Sequence, residues 1–455
     1  MTEGTTDGMT SGRTALLTGD GRAGMLGPYG SRLLHGWYDT GGAADLDEHL
    51  GRYGPPPSPR SADASDRLVR AVEDAGLTGR GGAAFPTGRK LRTVADGRGT
   101  AVVVANGMES EPASRKDETL LDLAPHLVLD GAALAAAAVG ADVAHLCLPR
   151  SRQDQARALR EAVEERRARG LDPVPVLVHE LPHHYVSSEE TSLVRWLNGG
   201  DARPSATPPR PFEKGVERRP TLIDNVETLA HLALIARYGP GWFRSAGHPD
   251  ATGTTLVTLS GALRAPGVYE VPMGRPLGEV LDVAGGAAEP LGSVLLGGFF
   301  GSWLPAEQAL QVPFAKQDLA ALGAGPGAGV IVALPARACG LAEAAGVLGY
   351  LAAQSARQCG PCRFGLPAVA ADFADLAWGR PAPQVMRRLE RRAGLLAGRG
   401  ACRHPDGASR FAATALRVFA DDVRHHLNLG PCAAAGQEPV LPVPDPRAPD
   451  DREWR

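Results

Sequence analysis

Apolar and polar positions change their rhythm several times along this chain, and each change marks a boundary. Residues 66–75 repeat apolar positions at helical spacing, and 100–106 contain the run Ala101-Val102-Val103-Val104-Ala105, the length and composition of a buried strand. Residues 125–139 read as a helix with Pro125 tolerated in its first turn, 145–148 as a strand, 153–169 as an Ala/Arg/Glu helix and 174–178 as a strand. Helix and strand alternating in this way specify an α/β layer on a parallel sheet.

Beyond Pro204, Pro208, Pro209, Pro211 and Pro220, which make 201–220 an irregular surface loop, the rhythm turns to β. Residues 254–260 and 268–271 read as strands joined through Gly261 and Pro266-Gly267, and a helix over 277–284 and a strand over 330–334 complete a small module. From 341 to 426 the pattern is helical. The division this predicts is a flexible N-terminal arm over 1–60 with an amphipathic stretch at 45–50, an α/β domain over 61–247, a β-rich module over 250–335, a helical domain over 338–432, and a Pro- and Asp-rich disordered tail over 433–455.

Composition narrows the function. At 455 residues the chain exceeds one ordinary core. A net charge of -3, with Lys and Arg scattered among acids, leaves no basic stripe for nucleic acid. The most apolar stretch, 131–146, is mostly Ala and carries Asp142, whereas a spanning helix needs about 20 strongly apolar residues, so no direct membrane insertion is expected. Six unevenly spaced cysteines behind a polar, Gly/Thr-rich start argue against a disulfide framework and for a reducing cytoplasm.

Three of those cysteines form a pattern. Cys359-Gly360-Pro361-Cys362, followed at a distance by Cys402, is the spacing of a metal centre: an iron–sulfur site, or a zinc site completed by His404. Cys147, Cys339 and Cys432 read as ordinary buried thiols. The segment Gly76-Leu77-Thr78-Gly79-Arg80-Gly81-Gly82-Ala83-Ala84-Phe85-Pro86-Thr87-Gly88-Arg89-Lys90 combines bare backbone with cations, as a phosphate cradle or a turn-rich loop would. After the 100–106 strand comes Asn106-Gly107-Met108-Glu109-Ser110-Glu111, at the strand end where open α/β sheets bind ligands. Glu189-Glu190-Thr191 after Tyr185, and Asp224-Asn225-Val226-Glu227-Thr228, complete the set; each alone reads as a helix cap or a solvated stretch.

Over about 66–430, and in this order, these segments resemble the NADH-binding flavoprotein subunit of respiratory complex I and its relatives in hydrogenases and formate dehydrogenases. The resemblance implies a Rossmann-like FMN-binding α/β domain, a ubiquitin-like β-grasp module of the soluble-ligand-binding (SLBB) type and a C-terminal helical iron–sulfur bundle. By position it implies FMN contacts at Gly79, Arg80, Gly81, Gly82, Lys90, Asn106, Glu109, Ser110, Tyr185, Glu189, Glu190, Asp224 and Asn225. Phe85 and Glu111 match positions that contact NADH, and Cys359, Cys362 and Cys402 match three ligands of a [4Fe-4S] cluster. The implied activity is an NADH dehydrogenase-like oxidoreductase: a hydride passes from NADH to FMN, and single electrons go on to the cluster and to a ferredoxin-like or other redox partner subunit.

The chain also departs from that pattern. Ala356 stands where the first cysteine of S-C-G-x-C-x-x-C belongs, and Cys339, Cys432, His404, a water or a partner protein are the groups available to fill the vacancy. K-W-S-F becomes Lys90-Leu91-Arg92-Thr93, K-P-P-F becomes Thr207-Pro208-Pro209-Arg210, and Ser188, Met108 and Asp224 replace Gly, Asp and Asn. These losses keep two alternatives in view: an electron relay fed by a donor other than NADH, and a non-catalytic assembly module.

Overall fold

The computed structural model describes residues 31–35, 41–57, 61–379, 381–382 and 384–455. Most of the flexible arm expected over 1–60 lies outside the described residues. Within that span, helix α1 (Leu46–Tyr53) is packed: Asp45 and Glu48 form a reciprocal capping box, and His49 Nε2 lies 2.7 Å from Asp130 Oδ2. Asp130 is fully buried and also meets Arg166 at 2.7 Å and Arg237 at 2.5 Å, so a charged knot holds α1 to the domain.

The α/β domain follows. Helices α2 (Ala62–Ala75) and α3 (Thr87–Ala95) precede β1 (Ala101–Asn106); then come α4 (Lys116–Leu123), α5 (Pro125–Val139), β2 (Ala141–Pro149), α6 (Gln153–Ala168), β3 (Val176–Leu181), α7 (Glu190–Leu197), β4 (Thr221–Asn225) and α8 (Val226–Arg244). The four strands pair in parallel in the order β3-β2-β1-β4. Covered on both faces, the central strand β1 is apolar at consecutive positions. The Ala-rich α5 is buried almost all round and crosses α8 so closely that a Cβ on Gly131 would lie 2.0 Å from the Leu229 carbonyl oxygen. Among the described residues no single helix is long and apolar enough to cross a membrane.

The next module holds β5 (Thr254–Gly261), β6 (Gly267–Pro272), α9 (Leu277–Asp282), β7 (Leu291–Leu296), β8 (Ser302–Pro305) and β9 (Val330–Pro335). Its sheet runs β8-β7-β9-β5-β6, with β9 and β5 parallel at the centre and antiparallel pairs on both sides, a grasp around α9. Its Phe299 and Trp303 enter the core of the helical region, formed by α10 (Gly340–Ala353), α11 (Leu366–Trp378), α12 (Val385–Leu396), α13 (His404–Val418) and α14 (Ala420–Leu429).

The tail over 433–455, expected to be disordered, is a strap packed on two domains. Glu343 accepts the amides of Val440 and Leu441 at 2.7 and 3.1 Å, and Leu441 is buried. Trp454 is 1 % exposed, its ring 4.4 Å from that of His184 and under the Arg203 guanidinium, while its carbonyl accepts the Ala202 amide at 2.7 Å. The segment is rich in proline, yet two buried apolar anchors, Leu441 and Trp454, and these hydrogen bonds bind it.

Candidate functional site

β1 continues to β2 on one side, while β4 pairs on the other, so the strand order reverses between β1 and β4. Their carboxyl ends, Asn106 and Asn225, are in register. A doubly wound sheet opens its ligand crevice at such a point. Helix α2 stops at Gly76 in the left-handed conformation, and the glycine loop then crosses this crevice. The Arg80 amide donates to Thr228 Oγ1 at 2.8 Å, a Cβ on Gly81 would lie 3.3 Å from Asn225 Cβ, and Gly82 holds φ +109°. Bare backbone is thus laid over the first turn of α8, where Asn225 caps by accepting the Glu227 amide at 3.1 Å. Glycine amides over a helix N-terminus make a cradle for an anionic group.

The cations are arranged differently from the expectation. Arg80 turns inward: Nη1 donates to Thr78 Oγ1 at 3.0 Å, Nη2 to the Thr254 carbonyl at 3.1 Å, and Nε stands 3.9 Å from Glu227 without a hydrogen-bond partner. Only its main chain faces the crevice loop. Lys116, which no sequence motif marks, is buried at the same place, its Nζ 2.6 Å from Asp117, 2.9 Å from Glu227 and 3.1 Å from Asn225 Oδ1. Burial opposes charge on both Lys116 and Glu227, yet mutual attraction wins: the ammonium is held above its usual range and the Glu227 carboxyl well below. Lys90 reaches the Ile223 carbonyl and lies 3.3 Å from Asp224 Oδ1. Burial pushes the Asp224 carboxyl up against the pull of Lys90, and its Oδ2 is buried without a partner.

The acidic loop divides its work. Asn106 Nδ2 donates to the Ser188 carbonyl at 2.9 Å, tying the end of β1 to the segment before α7. Ser110 donates to the Tyr185 carbonyl at 2.6 Å and pairs with the Ser188 hydroxyl, so the residue that replaces a glycine finds a hydrogen-bond partner. Glu109 was expected at the flavin, but its carboxylate caps α4, accepting Ser114 Oγ and the amides of Asp117 and Glu118 at 2.8, 2.8 and 2.9 Å, with Arg152 at 3.2 Å. Met108 is buried in the apolar layer with Ile223 and Leu193, which accounts for an apolar side chain at that position. Glu111 instead meets Tyr185 Oη at 2.9 Å and the Phe299 amide at 2.8 Å, and burial raises its carboxyl to about 7.

Glu189 caps α7, accepting the amides of Thr191 and Ser192 at 2.9 and 3.2 Å, and burial raises its carboxyl. Glu190 stands 3.9 Å from Arg210, so the proline-rich loop closes over this segment with a cation of its own. Phe85 is 47 % exposed with Arg89 over its ring, an aromatic face open to a planar ligand. In the altered segment after Lys90, Leu91 is buried in the core and Thr93 donates to the Arg89 carbonyl at 2.8 Å, so neither presents a ring.

Cys359, Cys362 and Cys402 come together where the loop after α10 meets the start of α13. Burial raises the Cys362 thiol, and Cys359 and Cys402 beside it raise it further; burial, Glu189 and Cys359 raise Cys402 to about 11. One buried and two half-buried thiols, two of them held protonated, form a donor set that a cationic centre relieves. Among the described residues three such donor atoms are drawn within 4.8 Å of one another by Cys339, His426 and Cys432. The C-x-x-C pair with a third thiol brought in from a distant loop is a donor set of iron–sulfur type. Ala356 is buried and brings no donor, while Arg357 keeps φ +55°, the left-handed turn for which the family motif has glycine. Cys339 and Cys432 do not fill the vacancy. Cys339 sits at the start of the 14-residue α10, about 20 Å from the end that leads to the trio, and Cys432 lies beside Cys339. His404 Nε2 is engaged by the Leu351 carbonyl at 2.8 Å, and its Nδ1 is buried without a partner.

The residues therefore fit both groups: a glycine and helix N-terminus cradle with Lys90 beside it for a flavin phosphate, and three converging thiols for a cluster. Comparison with known proteins agrees. Residues 72–234 match the Nuo51 FMN-binding domain, 256–296 the SLBB domain and 342–426 the NADH-ubiquinone oxidoreductase-F iron-sulfur binding region. An NADH-quinone oxidoreductase F subunit of Rhizobium meliloti is 30% identical over 413 residues, 88% of this chain and 96% of that protein. The NADH-quinone oxidoreductase F subunit of Streptomyces coelicolor is 31% identical over 384 residues, 80% of this chain and 84% of that one. In the solved structure of an air-oxidized NAD+-reducing [NiFe]-hydrogenase, one chain superimposes with a TM-score of 0.78 at 30% identity, covering 88% of this chain and 67% of its own. With the crevice, the module and the helical region each accounted for, the chain belongs to the family of NADH-quinone oxidoreductase F subunits and is an FMN- and iron–sulfur-dependent oxidoreductase.

Proposed function

We propose that this chain takes electrons from NADH at the crevice between β1 and β4 and delivers them, through the site of Cys359, Cys362 and Cys402, to a ferredoxin-like or other redox partner subunit in the cytoplasm. One observation carries the reading: Glu189, in the acidic segment beside the crevice, also lies within electrostatic reach of Cys402, so flavin loops and cluster thiols stand back to back. FMN, when bound, supplies the conversion of a two-electron hydride donor into single electrons that a cluster accepts. The amides of Gly81 and Gly82, with Lys90, would hold the flavin phosphate, on a loop that Gly79 and Arg80 fix through their own amide hydrogen bonds and over a helix start that Lys116 braces; Asn106, Ser110, Tyr185, Glu190, Asp224 and Asn225 would frame the rest of its site. Phe85 and Glu111 face the nicotinamide, and burial keeps the Glu111 carboxyl titrating near neutral pH while it accepts the Tyr185 hydroxyl.

The names of the relatives, NADH-quinone oxidoreductase F subunit and NAD+-reducing hydrogenase, support NADH as donor and a partner subunit as acceptor. All six cysteines are free thiols, in keeping with a reducing compartment. The division into 61–247, 250–335 and 338–432 belongs to the same reading. The test is the visible spectrum of anaerobic, reconstituted protein before and after NADH. Flavin and cluster bands that bleach with NADH support it. Bands that respond only to dithionite sink NADH as donor in favour of a relay, and a protein that takes up no flavin sinks the oxidoreductase reading itself.

A further inference from the structure

A second group of metal-binding side chains lies at the opposite end of α10 from the cluster thiols. Cys339 caps α10, His426 stands in the last turn of α14, and Cys432 opens the turn that begins the C-terminal strap. Their two sulfurs and one imidazole nitrogen all lie within 4.8 Å of one another. His426 Nδ1 donates to the Leu376 carbonyl at 2.9 Å, which fixes the tautomer and leaves the lone pair on Nε2. A backbone carbonyl behind a histidine is the usual support of a metal-ligating ring. Nε2 points at the thiols, 3.7 Å from Cys339 Sγ, and accepts the Cys432 amide at 3.1 Å; this amide is the group that yields when an ion takes the lone pair.

The surroundings favour sulfur as thiolate once a cation is present. Cys339 stands at the N-terminus of a 14-residue helix, whose dipole stabilises negative charge on its sulfur. Asp422, held by the Gly340 amide, lies within electrostatic reach of Cys339 and His426. The pair of sulfurs beside an imidazole has no other evident task in the helical core.

We propose that Cys339, His426 and Cys432 bind one soft divalent cation, zinc by donor set, with Asp422 or a water in the fourth position. Binding releases the two thiol protons and moves no electron. The ion clips three separate pieces together: the junction of β9 with α10, the end of α14 and the root of the strap. The site is distinct from the cluster thiols and independent of the donor that feeds the flavin.

Full-length, cluster-reconstituted protein is supplied with zinc, dialysed, and measured for zinc and iron per chain, with zinc X-ray absorption reporting the donor atoms. The expected result is one zinc per chain with two sulfurs and two nitrogen or oxygen donors, lost in Cys432→Ser and in His426→Gln while iron content stays unchanged. A shell of three or more sulfurs, or zinc content equal to wild type in both variants, overturns the proposal, as does a Cys339–Cys432 disulfide found by mass spectrometry in the zinc-treated protein. If either variant does not fold, the absorption spectrum of the wild-type protein decides alone.

Discussion

Tyr185 donates its phenolic hydrogen to Glu111 Oε2 at 2.9 Å, and the same oxygen accepts the Phe299 amide at 2.8 Å, so one carboxylate joins the acidic loop of the α/β domain to the turn after β7. Gly298 makes the approach possible: a Cβ there would sit 2.6 Å from Oε2. Tyr185 is itself enclosed by the rings of Phe300, Tyr350 and His404, and burial raises its hydroxyl well above the usual range. The donor is therefore always protonated, and the titrating partner is Glu111.

Burial raises the Glu111 carboxyl from 4.5 to about 7, so the folded chain binds this proton more tightly than the unfolded one. The cost of ionising it is absent below the unfolded value, grows as pH rises between the two, and is complete above the folded value, at about 3 kcal/mol. Glu111→Gln removes that cost while keeping an oxygen for Tyr185. Thermal midpoints of both proteins from about pH 5 to about pH 8 should show the variant gaining on wild type as pH rises. Parallel curves would mean that Glu111 titrates as an ordinary carboxylate.

Ala356→Cys should restore the missing cluster ligand, because Arg357 already holds the left-handed turn that the motif needs. Reconstituted wild type, with three thiolates, is expected to lose one iron on mild oxidation and to show the paramagnetic signal of a three-iron cluster. The variant should keep its full iron complement under the same treatment. Equal iron loss in both would show that another group of this chain, such as His404 through its unpartnered Nδ1, already ligates that iron.

Much of this was legible in the sequence where burial is uniform along an element. The apolar run of β1, the Ala-rich α5 and the strands β5 and β6 announce themselves because every residue, or every other one, faces a core. β4 did not: it is five residues long, follows Pro220 and ends in a helix cap, so its pattern reads as the entry to α8. β7 and β8 are also short, six and four residues, and are separated by glycines. At the site, main-chain cradles follow from glycine spacing, but side-chain direction does not. Nothing local distinguishes Glu109, which caps α4, from Glu111, which faces Tyr185; nothing marks Lys116 until folding places it beside Asn225 and Glu227.

Gly82→Ala should weaken flavin binding roughly 10–100-fold, since φ +109° costs a side-chain-bearing residue about 1–3 kcal/mol and relaxation would lift the loop from the α8 N-terminus. Gly99→Ala is the control: φ +90° imposes similar strain with nothing within 4 Å, in the turn that enters β1 at the end away from the crevice. Flavin fluorescence titration of the two variants separates local strain from loss of the cradle. A comparable loss of affinity in Gly99→Ala would show that the effect is general destabilisation.

Trp454→Ala tests the strap. Truncating a fully buried tryptophan costs about 3–5 kcal/mol where the site cannot collapse, and less if the strap simply lifts away. Here the strap can lift, because its last residues hold on through Trp454, the Ala202 amide and the His184 ring, with Arg203 meeting Asp451 at 2.5 Å. The expected result is rapid proteolysis of residues 437–455 in the variant and slow cleavage in wild type. His184 precedes Tyr185, so releasing its ring also loosens the aromatic wall behind Glu111, and the pH dependence of the thermal midpoint should flatten in parallel. Wild-type protein that is cleaved as fast as the variant would show that the strap is not held in solution, and the expectation of a disordered tail would then be restored.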